Sequence, residues 1–215
     1  RNLVHYNWHW FYDFGNGDLG NQGVHQMDIA RWGLGQTLPV RVSSTGGRLG
    51  YVDQGETPNT QTCNFQYEDG TMLVFEVRGL PTAEESGGRI GNQFYGSEGW
   101  MCQSDGFVAH VGYDGDPREI DGPLPPVGGA GPEDHFANFV RAVRSRRIED
   151  LNADVLEGHY SAALCHMALI AYRLGRDLEF CPEREEFVGD DEANAMLRRP
   201  KQRVRRDGVG LVANP

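Results

Sequence analysis

The spacing of apolar residues changes along this chain, and each change marks a different kind of element. Residues 23–34 are expected to form a helix, opened by Asn21 as its N-cap and ended at Gly33 and Gly35. Alternation then takes over: Pro39–Ser44 reads as a strand, and Thr60–Tyr67 places Cys63, Phe65 and Tyr67 on one face. Asp69-Gly70 supplies a hairpin turn, and Met72–Val77 returns antiparallel. Shorter strands follow at Gln93–Gly96, Gly99–Cys102 and Phe107–Val111, which together predict an antiparallel or mixed sheet of five or more strands.

Pro and Gly are frequent over residues 112–132, a long connection rather than a domain boundary. Helical spacing returns in two segments. Pro132–Arg147 carries Phe136, Phe139, Val140 and Val143 on one stripe, and Asp154–Leu174 repeats Leu156, Tyr160, Leu164, Met167, Ile170 and Leu174. Asp154 and Glu157 match a capping box, and Gly175 stops the second helix. Both stripes are expected to pack on the sheet. Strands in the middle and helices at either end define an α+β class: one domain, residues 1–215, with helices on one face of a large, mainly antiparallel, open-faced sheet. If the other face is apolar, a second subunit is its simplest cover, so a homo-oligomer through that face is expected.

Composition narrows the function classes. With 20 basic against 31 acidic residues the formal charge is −11, which opposes the phosphate backbone of nucleic acid. No apolar run approaches the roughly 20 residues that span a bilayer, so neither nucleic acid nor membrane is an expected partner. The basic run Arg198–Arg206 either contacts an acidic partner or pairs with Glu183, Glu185, Glu186, Asp190 and Asp191 just upstream. Cys63, Cys102, Cys165 and Cys181 are widely spaced, without a Cys-x-x-Cys pair, which indicates neither a zinc site nor a disulfide framework and fits a reducing, cytoplasmic compartment. His5 and His9 fall four apart without a third ligand at matching spacing, so no metal is expected.

Candidate chemistry concentrates near the first helix. A helix over this segment carries Asn21, His25 and Asp28 towards one side, and a carboxylate three residues on can fix the tautomer of the His25 imidazole. A histidine near a helix start is also a common structural residue. Gln22 is placed to hydrogen-bond a ligand. Upstream, the aromatic run Tyr6–Phe14 reads as core or interface, or as a sugar-binding platform that includes Trp10 and Tyr12.

The octapeptide Asn21-Gln22-Gly23-Val24-His25-Gln26-Met27-Asp28 resembles the Asp-x-Gly-x-His-x-x-Asp substrate-side motif of the Gfo/Idh/MocA sugar and cyclitol dehydrogenases. Asp53–Gln61, His135–Ser145 and Glu157–His166, continued by Ile170–Arg176, resemble the C-terminal half of the same family, in the same order and spacing. The resemblance implies the C-terminal domain fold of glucose-fructose oxidoreductase and inositol dehydrogenase-like proteins. It also implies hydride transfer between a sugar or cyclitol carbon and NAD or NADP in the complete protein.

In that chemistry a base must take the hydroxyl proton. An imidazole, with a free pKa of about 6.5, suits the task, so His25 is the candidate base or relay and Asp28 its orienting group. Asn21 stands where many relatives have Asp, and an amide accepts no proton at neutral pH, which restricts it to binding or capping. The family's nucleotide-binding half is not expected here, because no Gly-x-Gly-x-x-Gly follows a strand. The chain opens at Arg1 without an initiator Met, so it reads as a fragment that binds no cofactor and is inactive alone. The alternatives are an NAD-dependent, redox-neutral glycosidase of the same fold, and a non-catalytic ligand-binding module.

Overall fold

A computed structural model describes residues 5–84, 89–104, 107–112, 117–119 and 135–198. It opens with a 3₁₀ segment, His5–Trp10, followed by α1 (Asp18–Asn21) and α2 (Gly23–Leu34). Strands β1 (Arg41–Gly47), β2 (Thr60–Gln66), β3 (Met72–Arg78), β4 (Asn92–Gly96), β5 (Gly99–Gln103), β6 (Phe107–Val111) and β7 (Pro117–Glu119) come next. Then follow α3 (His135–Ser145), a 3₁₀ turn (Ile148–Asp150), α4 (Val155–Leu174), β8 (Leu178–Cys181), β9 (Glu186–Phe187) and α5 (Asp191–Met196). The class is α+β, and every strand pair is antiparallel.

The strands do not form the single sheet expected. β3-β2-β1-β8-β9 make one five-stranded sheet, and β4-β5-β6-β7 make a second of four. Alternation tells which face a residue takes, not which sheet its strand joins, and β8 and β9 are too short and too late in the chain to stand out. β7 lies inside the segment read as a connection; the rest of residues 113–134 lies outside the described residues, as does the basic run beyond Arg198. Of the acidic residues proposed to pair with that run, Glu185 meets His159, Glu186 meets Arg184, and Asp190 meets Arg176.

The core lies between the five-stranded sheet and helices α2 and α4. Register sets Val42 opposite Phe65, and Phe65 opposite Leu73, with Leu178 opposite Val42 from the other side; all four point inward and are buried. Cys63 and Phe75 form the next row, and Leu164, Cys165, Met167 and Ala168 of α4 close over them. Burial pushes the Cys63 thiol up to about 11 and the Cys165 thiol up to about 12. None of the four cysteines forms a disulfide among the described residues. The outward rows, Arg41–Gln66–Met72, Ser43–Asn64–Val74 and Thr45–Thr62–Glu76, are mostly polar, with exposed Met72 and Val74 at the β3 edge. The second sheet meets α2 where the Phe94 ring lies against Gly33 and Asn92 donates to the Gln26 side chain at 3.1 Å.

The two later helices differ from their expected roles. In α4 the stripe is buried at Leu164, Met167 and Ile170, and left-handed Gly175 ends the helix as expected. Asp154 is the N-cap, but the box is not reciprocal: Asp154 accepts from Leu156 N, and the Glu157 carboxylate leaves the helix to meet Arg31. In α3 the stripe Phe136, Phe139, Val140 and Val143 is exposed, not packed on a sheet. The helix is instead tied to the following turn, with Asn138 donating to Asp150 O at 2.7 Å.

Candidate functional site

The glycine-rich loop enters a helical path that tightens without breaking. Gln22 keeps a right-handed helical backbone (φ −94°, ψ −37°), its N–H donates to Asp18 O at 3.0 Å, and His25 N–H donates to Gln22 O at 3.2 Å. The N-cap of α2 is therefore Gln22, not Asn21, and no side chain caps the helix. Asn21 closes α1 instead. It misses the N-cap position because the α1 turn runs through it and the junction with α2 falls one residue later. The far end agrees with the sequence, since Gly35 is left-handed (φ 66°) and its N–H returns to Arg31 O and Trp32 O.

Along this path Asp18, Asn21, Gln22 and His25 recur at three- and four-residue spacing and share one stripe. Asn21 and His25 are exposed, Asp18 and Gln22 half-buried. Among the described residues the His25 ring makes no hydrogen bond or ion pair. It is a free imidazole on an ordered helix.

Asp28 is engaged elsewhere. Ser161 of α4 donates its hydroxyl to Asp28 Oδ1 at 2.5 Å, and the Arg31 guanidinium stands 3.8 Å from the same oxygen. Arg31 itself is 4% exposed and is bound on all sides. Its Nε donates to Ser161 Oγ at 3.2 Å and Nη1 to Gln36 O at 3.0 Å, while Nη2 meets the Glu157 carboxylate and the Tyr160 ring lies 5.6 Å away. This clamp holds α2 to α4. The sequence reading missed this clamp and gave Glu157 only a capping role, because Arg31 and its partners in α4 lie more than a hundred residues apart in the chain.

The aromatic segment reaches the stripe through a residue not singled out from sequence. Asn21 Nδ2 donates to Tyr6 Oη at 2.8 Å. Trp10 and Tyr12 are half-buried, and each already has a guanidinium over its ring: Arg48 at 4.8 Å from Trp10 and Arg173 at 4.7 Å from Tyr12. Burial and the neighbouring Tyr172 raise the Tyr12 phenol above its ordinary value. The exposed rings of this segment are Tyr6, Trp8 and Phe14. His9 is buried, with its ring against Trp10 at 4.5 Å and its Nε2 4.0 Å from Asp18 Oδ1. No group of three metal-ligating side chains occurs among the described residues, and no described helix is long and apolar enough to cross a membrane.

Gly23 explains why the stripe sits so close to the sheet. A Cβ there would lie 2.7 Å from Phe75 Cζ, inside the van der Waals limit of a buried ring. Gly23→Ala is expected to cost about 1–3 kcal/mol by overpacking, read as a lowered midpoint in urea denaturation; an unchanged midpoint would show that Phe75 yields without strain.

Comparison with known proteins gives the class. Residues 1–102 match the model described as "GFO/IDH/MocA C-terminal domain", and residues 125–206 match "Oxidoreductase family, C-terminal alpha/beta domain". The chain belongs to the Gfo/Idh/MocA oxidoreductase family and corresponds to its C-terminal part. No curated protein matches the sequence.

Among solved structures, it resembles the WlbA dehydrogenase of Bordetella pertussis in complex with NADH and UDP-GlcNAcA (TM-score 0.54, 19% identity, covering 81% of this chain and 48% of that one). It also resembles an NAD-binding protein from Listeria innocua (0.59, 16%, 82% and 51%). A third is an oxidoreductase from Agrobacterium radiobacter in complex with NAD+, L-tartaric acid and magnesium (0.55, 16%, 75% and 48%). The chain spans about half the length of these structures.

Proposed function

We propose that this chain is the substrate-binding half of an NAD(P)-dependent oxidoreductase acting on a hydroxyl of a sugar or cyclitol, with His25 as the base for the hydroxyl proton. The observation that carries the reading is the His25 ring: exposed, without a polar partner among the described residues, and held in the family motif on an ordered helix. A base must reach the proton it takes, and both nitrogens of an exposed ring without structural hydrogen bonds are open to a ligand. Gln22, whose side chain caps nothing, and Asn21 flank it as ligand-binding groups. Asp28 serves the site through the helix, by anchoring α2 to Ser161 and Arg31, rather than by bonding to the imidazole. Trp10 and Tyr12 belong to the same reading as ligand-facing rings, with an arginine over each.

Oxidation of a hydroxyl-bearing carbon also needs a hydride acceptor. The described strands are all antiparallel and contain no βαβ unit to cradle a dinucleotide, so the described residues do not fit NAD or NADP. The reading assigns that group to another part of the complete protein, and the chain alone is expected to be inactive. Self-association belongs to the same reading, but the open face of the five-stranded sheet is mostly polar and offers only Met72 and Val74 at the β3 edge as an apolar contact; sedimentation of the complete protein is its check.

The test is turnover by the complete protein on a panel of sugars and inositols, followed as NADH or NADPH formation beside release of free sugar from glycosides. Net reduction of the nicotinamide is the expected result. Sugar release without net reduction would replace the dehydrogenase by a redox-neutral glycosidase, and neither product would leave a binding module.

A further inference from the structure

Helix α3 is built inside out. The face it turns to the rest of the chain is polar: Asn138 is 6% exposed, donates to Asp150 O at 2.7 Å and accepts from Asn152 N at 3.2 Å, and Arg141 donates to the same Asp150 oxygen at 3.4 Å. On the opposite side Phe136, Phe139, Val140 and Val143 share an arc roughly 100° wide. That arc faces outward, with Phe136 74% and Phe139 60% exposed, and Ile148 of the following turn is 66% exposed.

An 11-residue helix does not hold itself in water, where even good helix formers need about 12–15 residues to be marginal. Such a helix is held by packing its apolar face, yet the core cluster contains none of these four side chains. Charge narrows what can cover them. Arg144 borders the stripe one turn after Val140, Arg146 and Arg147 follow the helix end, and α3 contains no acidic residue. A second α3, or the basic run Arg198–Arg206, would bring like charges to the contact. Length points elsewhere: about half of each solved structure that shares this fold lies outside the part this chain matches.

We propose that the apolar face of α3 is the docking surface for the cofactor-binding half of the complete protein, which meets it with an apolar patch and a carboxylate opposite Arg144. The existence of a cofactor-binding half rests on the reading under Proposed function; the outward apolar face does not. The placement has a consequence for the site. α3 leads through one 3₁₀ turn into α4, and Arg31 clamps α4 to α2, so a half docked on α3 is held in register with the helix that carries His25.

The test places the photo-crosslinker p-benzoylphenylalanine at Phe139 of the complete protein, beside binding of NADH and NADPH followed by their fluorescence. Expected are binding of one of the two and a crosslink within one polypeptide, from position 139 to a peptide outside residues 1–215. Nucleotide binding with no crosslink, with a crosslink inside residues 1–215, or with one that doubles the mass on a denaturing gel overturns the proposal and leaves the dehydrogenase reading standing. Absence of nucleotide binding overturns both. Calorimetry supplies a second readout, because two halves coupled through an apolar contact unfold together. The wild type and Phe139→Leu are expected to unfold in one transition and Phe139→Asp in two, with the nucleotide Kd of Phe139→Asp within about twofold of wild type. Two transitions in the wild type, or one in Phe139→Asp, overturn the docking.

Discussion

His25→Ala in the complete protein is expected to lower kcat by about 10²–10⁴-fold while leaving the folded state within about 0.5 kcal/mol of the wild type. The two halves of this result come from one observation. The ring is exposed and bonded to nothing among the described residues, so folding gains little from it and loses little without it. Turnover measured by nicotinamide absorbance, beside a thermal melt of the same preparation, checks both halves. Partial rescue by added imidazole is expected, because the vacated position opens to solvent. A variant that keeps wild-type turnover would remove His25 from the chemistry.

Arg31→Met gives the largest expected loss of stability, about 3 kcal/mol, at the low end of what breaking a buried ion pair costs. Met keeps the length and packing of the side chain, so the loss reports the polar contacts. Ser161 Oγ and Gln36 O lose their donor in a place where Arg31 itself is 4% exposed. Asp28 and Glu157 are about half exposed, at 55% and 47%, and can return to water, which keeps the cost from rising further. Glu157→Gln is expected to cost only about 1 kcal/mol for the same reason. Urea denaturation of the two variants checks the order; a loss below about 1 kcal/mol in Arg31→Met would mean that the clamp does not hold α2 to α4.

These two residues also show what a linear sequence reveals. The place of His25 in the first turn of a helix was legible because its neighbours along the chain, Asn21, Gln22 and Gly23, build a loop-to-helix motif within a few residues. So was the hairpin at Asp69-Gly70, where turn chemistry and alternation agree, and Gly70 has the positive φ (86°) the turn requires. Arg31 was not legible, because it reads as an ordinary last-turn basic residue until α4 brings Glu157 and Ser161 to it. Asp28 was misjudged for the same reason: three-residue spacing places it near His25, and only the packing of a distant helix shows it turned towards Ser161 and Arg31. The division of strands into two sheets depends on β8 closing against β1 across most of the chain, which periodicity does not encode. Asp18 shares the stripe by local spacing, three residues before Asn21, but its burial, which raises the carboxyl, and the opposing His9 nearby appear only in the fold.

The central claim is that the Asn21–Gln22–His25 stripe is where the substrate binds. A crystal structure of the complete protein with its nicotinamide cofactor and a polyol tests this most directly. Expected is a polyol hydroxyl within about 3.2 Å of a His25 ring nitrogen, with a second hydroxyl hydrogen-bonded to the Asn21 or Gln22 side chain. A polyol bound in an ordered position away from this stripe would contradict it.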